Sequence, residues 1–166
     1  NNYICYHSLV KHFLNYQNNG LGLSYNDARS HLDIGRRVVE GLKPGLAQLG
    51  SVWLPLNHVL MIPLVWNDWA WHSGFAGAFW NMLSYVGTGL LVYKYLEKIR
   101  VGMVGRLFGV FIFASNLNIL YLQSTAMTEP LLLFTMMAGC YYLMLWMTED
   151  KLEDLIKSSF WIMLST

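Results

Sequence analysis

Two residues with acid–base side chains stand four positions apart, Asp27 and His31. Residues at this spacing lie on one face of a helix. A carboxylate beside an imidazole can act as a general base that deprotonates a hydroxyl group, and the same pair could supply two ligands to a divalent metal ion. The alternative is structural, with Asp27 capping the helix and His31 paired with it. These residues are the first candidates for chemistry in the chain.

Arginines close to this pair suit an anionic ligand. The guanidinium groups of Arg29, Arg36 and Arg37 could each bind a phosphate through two parallel hydrogen bonds. The alternative is that these long side chains extend to lipid headgroups while their stems stay buried. Both interpretations place an anion next to this segment.

Glu129 is a single carboxylate between two long uncharged stretches, in the sequence Met127-Thr-Glu-Pro130. Proline suits the first positions of a helix, so a helix is expected to begin here. An ionisable residue at membrane depth indicates a functional site. The alternative is that the carboxylate only stabilises the positive end of the helix.

An amphipathic helix is expected to position Asp27, His31 and the arginines. Ser24 followed three residues later by Asp27 resembles a capping box. Pro44 and Gly45 predict the end of the helix. Apolar residues between these signals recur at helical spacing, namely Ala28, Leu32, Gly35, Val39 and Leu42.

The segment between this helix and Asn67 contains several prolines and aromatic residues. Proline removes a backbone donor and interrupts regular helices, so we expect interfacial or re-entrant helices here. Tryptophan prefers the boundary between membrane and water. The tryptophans that predict such a boundary layer are Trp53, Trp66, Trp69 and Trp71.

The composition indicates a membrane protein. Of the 166 residues, 55% are hydrophobic and 13% are charged, whereas soluble domains carry about 25% charged residues. The 11 basic residues nearly balance the 10 acidic ones, which argues against a nucleic-acid partner. The high hydrophobicity excludes a disordered chain, and the two cysteines, Cys5 and Cys140, are too few for a disulfide scaffold.

Three uncharged stretches are long enough to cross a bilayer, which takes about 20 residues of helix. They predict transmembrane helices over 71–93, 105–124 and 130–147. Asn116 and Asn118 fall within the second and would form hydrogen bonds between helices. The alternative is a soluble bundle of buried helices, but soluble helices alternate apolar and polar faces and these do not.

The predicted fold is therefore an all-α polytopic membrane protein, with amphipathic and interfacial helices in its first outer loop. The expected parts are an N-terminal segment (1–23), the outer loop (24–70), three transmembrane helices (71–147), and a cytoplasmic loop with the start of another helix (148–166). Both ends of the sequence indicate a fragment of a longer protein.

Basic residues predict the orientation of these helices. By the positive-inside rule, a loop rich in Lys and Arg faces the cytoplasm. Residues 24–70 and 123–130 are then expected on the outer side of the membrane. The basic residues that flank the loop between the first two predicted spans are Lys94, Lys98, Arg100 and Arg106.

Three segments together resemble prokaryotic members of the protein-mannosyltransferase-like family, which belongs to the type C glycosyltransferases. They run from Tyr25 to Glu40, from Pro44 to His58 and from Met127 to Pro130. The resemblance covers roughly residues 20–147. It implies a membrane enzyme that moves a sugar from a polyprenyl-phosphate carrier to a protein, lipid or glycan acceptor, on the outer face of the prokaryotic cytoplasmic membrane.

The resemblance also implies roles for single residues. Asp27 matches an acidic residue of the active site that is thought to engage the acceptor, and Glu129 matches a second acidic residue near a proline. Basic residues of the outer loops contact the carrier phosphate in such enzymes. The candidates for this contact are Arg29, His31, Arg36, Arg37 and His58.

The sequence departs from the family at several of these positions. Ala28 follows Asp27 where many relatives have Glu, and Glu129 stands where relatives often have Asp. A lysine that some relatives use later in the loop has no clear counterpart, and Asn57-His58 falls roughly at its place. Many members of the family need no metal, but some type C relatives use a divalent ion, which Asp27 and His31 could bind.

The competing class is a non-enzymatic membrane protein, either a transporter or an assembly subunit. A transporter is expected to carry ionisable residues within its spans, along the pathway of its substrate. Here the predicted spans carry no charge except Arg106 at the start of the second, and the charges of the outer side concentrate in one loop. This distribution favours chemistry at the membrane surface.

Overall fold

The computed structural model describes residues 11, 13–15, 18–49 and 55–165. Within these ranges the chain forms helices and turns and no strand, which confirms the all-α prediction for this part of the protein. Cys5, Trp53 and most of the predicted N-terminal segment lie outside the described residues.

The chain divides into two compact units. The first unit contains the described residues up to Met82, together with Leu120–Thr128. The second contains Leu83–Ile119 and the residues from Glu129 onward. The helices in chain order are α1 (Asn26–Glu40), a 3-10 helix (Leu46–Leu49), α2 (Pro55–Val65), α3 (Asp68–His72), α4 (Phe75–Lys98), α5 (Met103–Ala114), α6 (Leu117–Leu122), α7 (Glu129–Glu149) and α8 (Leu152–Leu164).

Helix α1 is amphipathic, as its sequence pattern predicts, but Leu42 of the predicted apolar stripe lies beyond the end of the helix and is fully exposed. Its inner face packs against α2, where a side chain at Gly35 would meet Met61 and Val65 at ordinary contact distance, 3.7 Å. The helix ends where the Gly41 amide donates to the Arg37 carbonyl at 3.0 Å. The residues of its buried face are Ala28, His31, Leu32, Ile34, Gly35 and Val38.

The predicted capping box at the start of α1 is wrong. Tyr25 occupies the N-cap position, and no side chain caps the helix there. The Ser24 hydroxyl instead donates to the Leu21 carbonyl at 2.9 Å. Ser24 precedes the N-cap by one residue. Its side chain therefore stabilises the turn before the helix and does not cap the helix.

The core of the first unit gathers small and apolar residues from α1, α2, α3, the start of α4 and the segment before α7. Gly77 allows the closest approach, because a Cβ atom there would lie 2.5 Å from the Cβ and 2.6 Å from the Cα of Ala126. The buried members of the cluster are Ala28, Leu32, Met61, Val65, Ala70, Ala76, Ala126 and Met127.

Replacing Gly77 by alanine is expected to destabilise the protein by about 1–3 kcal/mol, since the added methyl group overlaps the Ala126 backbone. Gly35→Ala is the matched control. Its methyl group has room against Met61 and Val65, so the higher helix propensity of alanine should stabilise the protein by about 0.5–1 kcal/mol. Denaturant unfolding in detergent micelles measures both changes, and equal effects would contradict this packing.

In the second unit, α7 and α8 form a hairpin. The Ser158 hydroxyl donates to the Gly139 carbonyl at 2.9 Å, and Phe134 meets Trp161 edge to face. The Tyr85 hydroxyl donates to the Ala114 carbonyl at 2.8 Å, which ties α4 to α5. These contacts pair α7 with α8 and α4 with α5.

Two helices of the described chain are long and apolar enough to cross a membrane, α4 with 24 residues and α7 with 21. They correspond to the first and third predicted spans. The predicted continuous span over 105–124 is wrong, because the structure divides it into α5 and α6. The Asn116 side chain accepts from the Asn118 and Ile119 amides at 3.0 and 3.3 Å and so starts a new helix.

Candidate functional site

Asp27 lies in the first turn of α1 and is partly buried. Its carboxylate makes no hydrogen bond and no ion pair with any residue that the structure describes, and the predicted cap bond to the helix is not formed. Both carboxylate oxygens are therefore available to a ligand. A positioned carboxylate of this kind can accept a proton from a hydroxyl group.

His31 pairs with His58 and not with Asp27. The His31 Nδ1 and His58 Nε2 atoms are 2.9 Å apart, so one ring donates and the other accepts. The two side chains are 1% and 0% exposed and join α1 to α2 in the core. Burial leaves no surface for a phosphate at either ring. The structure therefore does not favour His31 and His58 as phosphate ligands, and that assignment stays a prediction.

The metal alternative has little support in the described part of the chain. A divalent ion bound by protein alone commonly needs three or four ligands. No three His, Cys, Asp or Glu side chains of the described residues are grouped so that they could hold one ion. His31 is moreover engaged with His58, so Asp27 and His31 do not form a ready pair of ligands.

The arginines lie on the outer face of α1, where they border Trp71. The guanidinium carbons of Arg29 and Arg36 are 4.3 and 4.8 Å from the centre of the Trp71 ring, a cation–π distance. The Trp71 indole nitrogen donates to Asp33 at 3.2 Å. An open pocket of about 400 Å³ lies here, lined by Arg29, Asp33, Arg36, Arg37, Glu40 and Trp71.

Arg36 is held in a structural network. Its guanidinium donates two bonds of 2.7 Å to Glu40 and one of 2.6 Å to Asp68, and also donates to the Val65 carbonyl. Desolvation opposes the charge, but the bonds to Glu40 and Asp68 outweigh it, so the pKa of Arg36 is raised. Its donors are committed to the protein, which leaves little for a phosphate.

Arg36→Lys is expected to lower stability by about 1–2 kcal/mol, because an ammonium group cannot replace the planar set of donors that contacts Glu40, Asp68 and Val65 together. Arg37→Lys is the control, since its exposed guanidinium forms no such bond to a described residue. Thermal unfolding of the two variants side by side measures the difference. Equal melting temperatures would show that the network contributes nothing.

The other two arginines differ in how they are paired. Arg29 forms an ion pair with Asp33 at 3.1 Å, one helical turn along α1. Arg37 is exposed, and its side chain has no ion pair in the described structure. The i, i+4 spacings of Arg29 with Asp33 and of Arg36 with Glu40 are visible in the sequence and could have identified these partners. Asp68 and Trp71, both from α3, could not be found in this way.

The structure does not bring Asp27 and the arginines together. Successive helix residues are turned by about 100°, so Arg29 lies about 200° around α1 from Asp27. Arg36 and Arg37 share the outer face with Arg29, whereas Asp27 borders the inner face with His31. A helix with its side chains is about 10–12 Å across. One small group cannot contact Asp27 and the arginines at once.

Glu129 is the first residue of α7 and belongs to the second unit. The predicted helix start in front of Pro130 is confirmed. The carboxylate is exposed and forms no ion pair within the described ranges. Its role as a second catalytic carboxylate stays a prediction.

Buried amides that the sequence did not single out organise the segment before α7. The Asn81 amide donates to the Thr125 and Met127 carbonyls at 2.8 and 2.6 Å. Asn57 donates more weakly to the same Met127 carbonyl, at 3.5 Å. The sequence around Asn81 is uncharged and contains no motif that marks this residue. The only general expectation is that a buried asparagine forms hydrogen bonds.

Comparison with known proteins adds no support from relatives, because no family model, no curated protein and no solved structure matches the chain. The importance of Asp27 therefore depends on its position in α1, its partial burial and its lack of a partner among the described residues.

Proposed function

We propose that the chain is part of a membrane glycosyltransferase that moves a sugar from a polyprenyl-phosphate carrier to a protein, lipid or glycan acceptor. The reaction takes place at the outer face of a prokaryotic cytoplasmic membrane. The observation that carries this proposal is the partly buried Asp27, whose carboxylate has no partner among the described residues, at the position where the resembling family carries an acidic residue. A membrane placement and a suitable acceptor base are the two requirements of such an enzyme.

Exposed apolar side chains support the membrane placement. In α5, Val104 is 82% exposed and Phe108 and Phe111 are more than 60% exposed. Large apolar surfaces of this kind are unfavourable in water and indicate a partner or a bilayer. Together with the lengths of α4 and α7, they favour a protein whose helices face lipid, as a polytopic membrane protein requires.

Asp27 is proposed as the base of the transfer step. Its carboxylate accepts the proton of an acceptor hydroxyl, and the acceptor oxygen attacks the anomeric carbon of the sugar. The bond between that carbon and the phosphate oxygen breaks, and the carrier phosphate leaves with the bonding electrons. A correctly placed base contributes about 100- to 10,000-fold to such a rate.

The arginines of α1 that border Trp71 do not take part in this transfer step. The departing phosphate must lie within one sugar ring of the base, whereas Arg29 and Arg36 lie on the far side of α1 from Asp27. In this proposal the departing phosphate is therefore stabilised by residues other than the arginines that border Trp71. Glu129 remains the candidate for the second carboxylate.

The fate of a radiolabelled sugar tests the proposal. The full-length protein in membrane vesicles is incubated with a set of labelled polyprenyl-phosphate sugars. We expect the label of at least one donor to become covalently attached to an acceptor. Label that crosses the vesicle membrane without a new bond would instead identify a transporter. No change with any donor, for protein shown to be folded, would favour an assembly subunit. Either result would overturn the enzyme assignment.

A further inference from the structure

A second open pocket lies at the C-terminal end of α1, next to the loop that follows the helix. It measures about 520 Å³ and is lined by Arg37, Gly41, Leu42, Lys43 and Gln48. Arg37 also borders the Trp71 pocket. Neither the acceptor base nor the buried histidine pair is part of its lining.

Two cations of this pocket lack a carboxylate partner. Neither Arg37 nor Lys43 forms an ion pair with a described residue, and both are exposed. The residues outside the described ranges include no Asp or Glu, so no carboxylate side chain is left to neutralise them. The pocket therefore presents two free positive charges to a ligand.

Backbone bonds hold the loop that carries Lys43. The Gly45 amide donates to the Val38 carbonyl at 2.9 Å, with Gly45 in a conformation at φ 143° that favours glycine. The Gln48 side chain donates to the Lys43 carbonyl at 2.9 Å. Two of the last carbonyls of α1, those of Arg37 and Val38, thus accept amides of the chain, and these bonds hold the backbone of Lys43 beside the end of the helix.

Two exposed leucines lie in the same segment as Lys43, and Leu42 lines the pocket with the cations. Leu42 is fully exposed, and Leu46 is 67% exposed. Exposed leucines next to unpaired basic groups match the two parts of a phospholipid, an anionic headgroup and its acyl chains. A free phosphate ion would match only the cations.

We propose that this pocket binds the phosphate headgroup of an anionic phospholipid between Arg37 and Lys43, with Leu42 and Leu46 inserted among the acyl chains. This inference rests on one part of the proposed function, that the protein lies in a membrane. It does not depend on sugar transfer. Each cation near an anionic bilayer surface favours binding by about fivefold. The site would anchor the C-terminal end of α1 at the headgroup layer.

Fluorescence quenching by spin-labelled lipids tests this site. In full-length protein with Cys5→Ser and Cys140→Ser, an Ala47→Cys variant carries an environment-sensitive dye beside Leu46. The protein is reconstituted in phosphatidylcholine vesicles that contain phosphatidylglycerol or phosphatidylcholine with a nitroxide near the headgroup, at equal mole fractions. With a factor of about five from each of the two cations, we expect labelled phosphatidylglycerol to quench about 25-fold more effectively than labelled phosphatidylcholine.

Matched variants identify the cause of this preference. Lys43→Gln should remove most of the preference for phosphatidylglycerol, whereas Lys94→Gln, at another exposed lysine, should keep it. A dye at Leu90, on the apolar surface of α4, should be quenched equally by both lipids. Equal quenching by both lipids at position 47, or no quenching by either, would overturn the proposal.

A competition experiment distinguishes the source of the phosphate. Added inorganic phosphate should leave the quenching by phosphatidylglycerol unchanged, and loss of the preference would assign the pocket to a free anion and overturn the lipid assignment. The measurement needs no sugar donor. A failed transfer assay with preserved lipid preference would therefore reject the enzyme and keep this site.

Discussion

Replacing Asp27 by asparagine is expected to lower kcat for sugar transfer at least about 100-fold. Asparagine keeps the shape of the side chain but cannot accept the proton of the acceptor hydroxyl. KM for the donor should change little, because the proposed role lies in the transfer step and not in donor binding. The initial rate of label transfer by full-length protein, at equal amounts of folded enzyme, measures the effect.

Asp33→Asn is the matched control for this substitution. Asp33 lies on the outer face of the same helix, where it pairs with Arg29 and accepts a bond from Trp71. Its loss should leave kcat within a few-fold of the wild-type value. Since Asp27 has no partner among the described residues, Asp27→Asn should also leave the unfolding midpoint unchanged. Similar losses of kcat in both variants would contradict a specific role for Asp27.

Replacing Asn81 by leucine should have the largest effect on stability, a loss of about 2–4 kcal/mol. The Asn81 amide satisfies the buried carbonyls of Thr125 and Met127, and the side chain itself is 0% exposed. Leucine has the same number and branching of side-chain heavy atoms but no donor, so these carbonyls would lose their bonds in the core. Chemical unfolding in detergent, followed by circular dichroism, measures the change.

Asn118→Leu is the control for Asn81→Leu, with the same substitution in an exposed position. The Asn118 side chain forms no hydrogen bond with the described residues, and exposed sites of this kind usually change stability by less than about 0.5 kcal/mol. An Asn81→Leu protein as stable as Asn118→Leu would show that the contacts to Thr125 and Met127 do not stabilise the first unit.

The sequence predicted those features of the fold that depend on neighbours along the chain. The period of the apolar residues in α1 places Ala28, Leu32 and Gly35 inside, and the structure buries all three. The same geometry determines that Arg29 and Asp27 lie on opposite sides of α1, because both angles follow from helical periodicity. The separation between Asp27 and Arg29 could therefore be predicted from the sequence.

Features that depend on tertiary contacts could not be predicted in this way. His31 pairs with a histidine 27 positions away, and Arg36 binds Asp68 and Val65 from other parts of the chain. The four-residue spacing of Asp27 and His31 predicted that these two side chains pair. In the structure α1 packs against α2, and His31 pairs with His58 instead. A length of uncharged chain also cannot reveal that Asn116 caps a new helix and divides the predicted second span.

Whether Asp27 acts in the transfer step is tested most directly by comparing kcat of Arg29→Gln with kcat of Asp27→Asn in the same label-transfer assay. Asp27 is proposed to act in the transfer step, whereas Arg29 lies on the opposite face of α1. We expect Arg29→Gln to retain kcat within a few-fold of wild type, while Asp27→Asn loses at least about 100-fold. A loss of kcat of about 100-fold or more in Arg29→Gln, or an Asp27→Asn protein that is nearly fully active, would contradict the proposed role of Asp27.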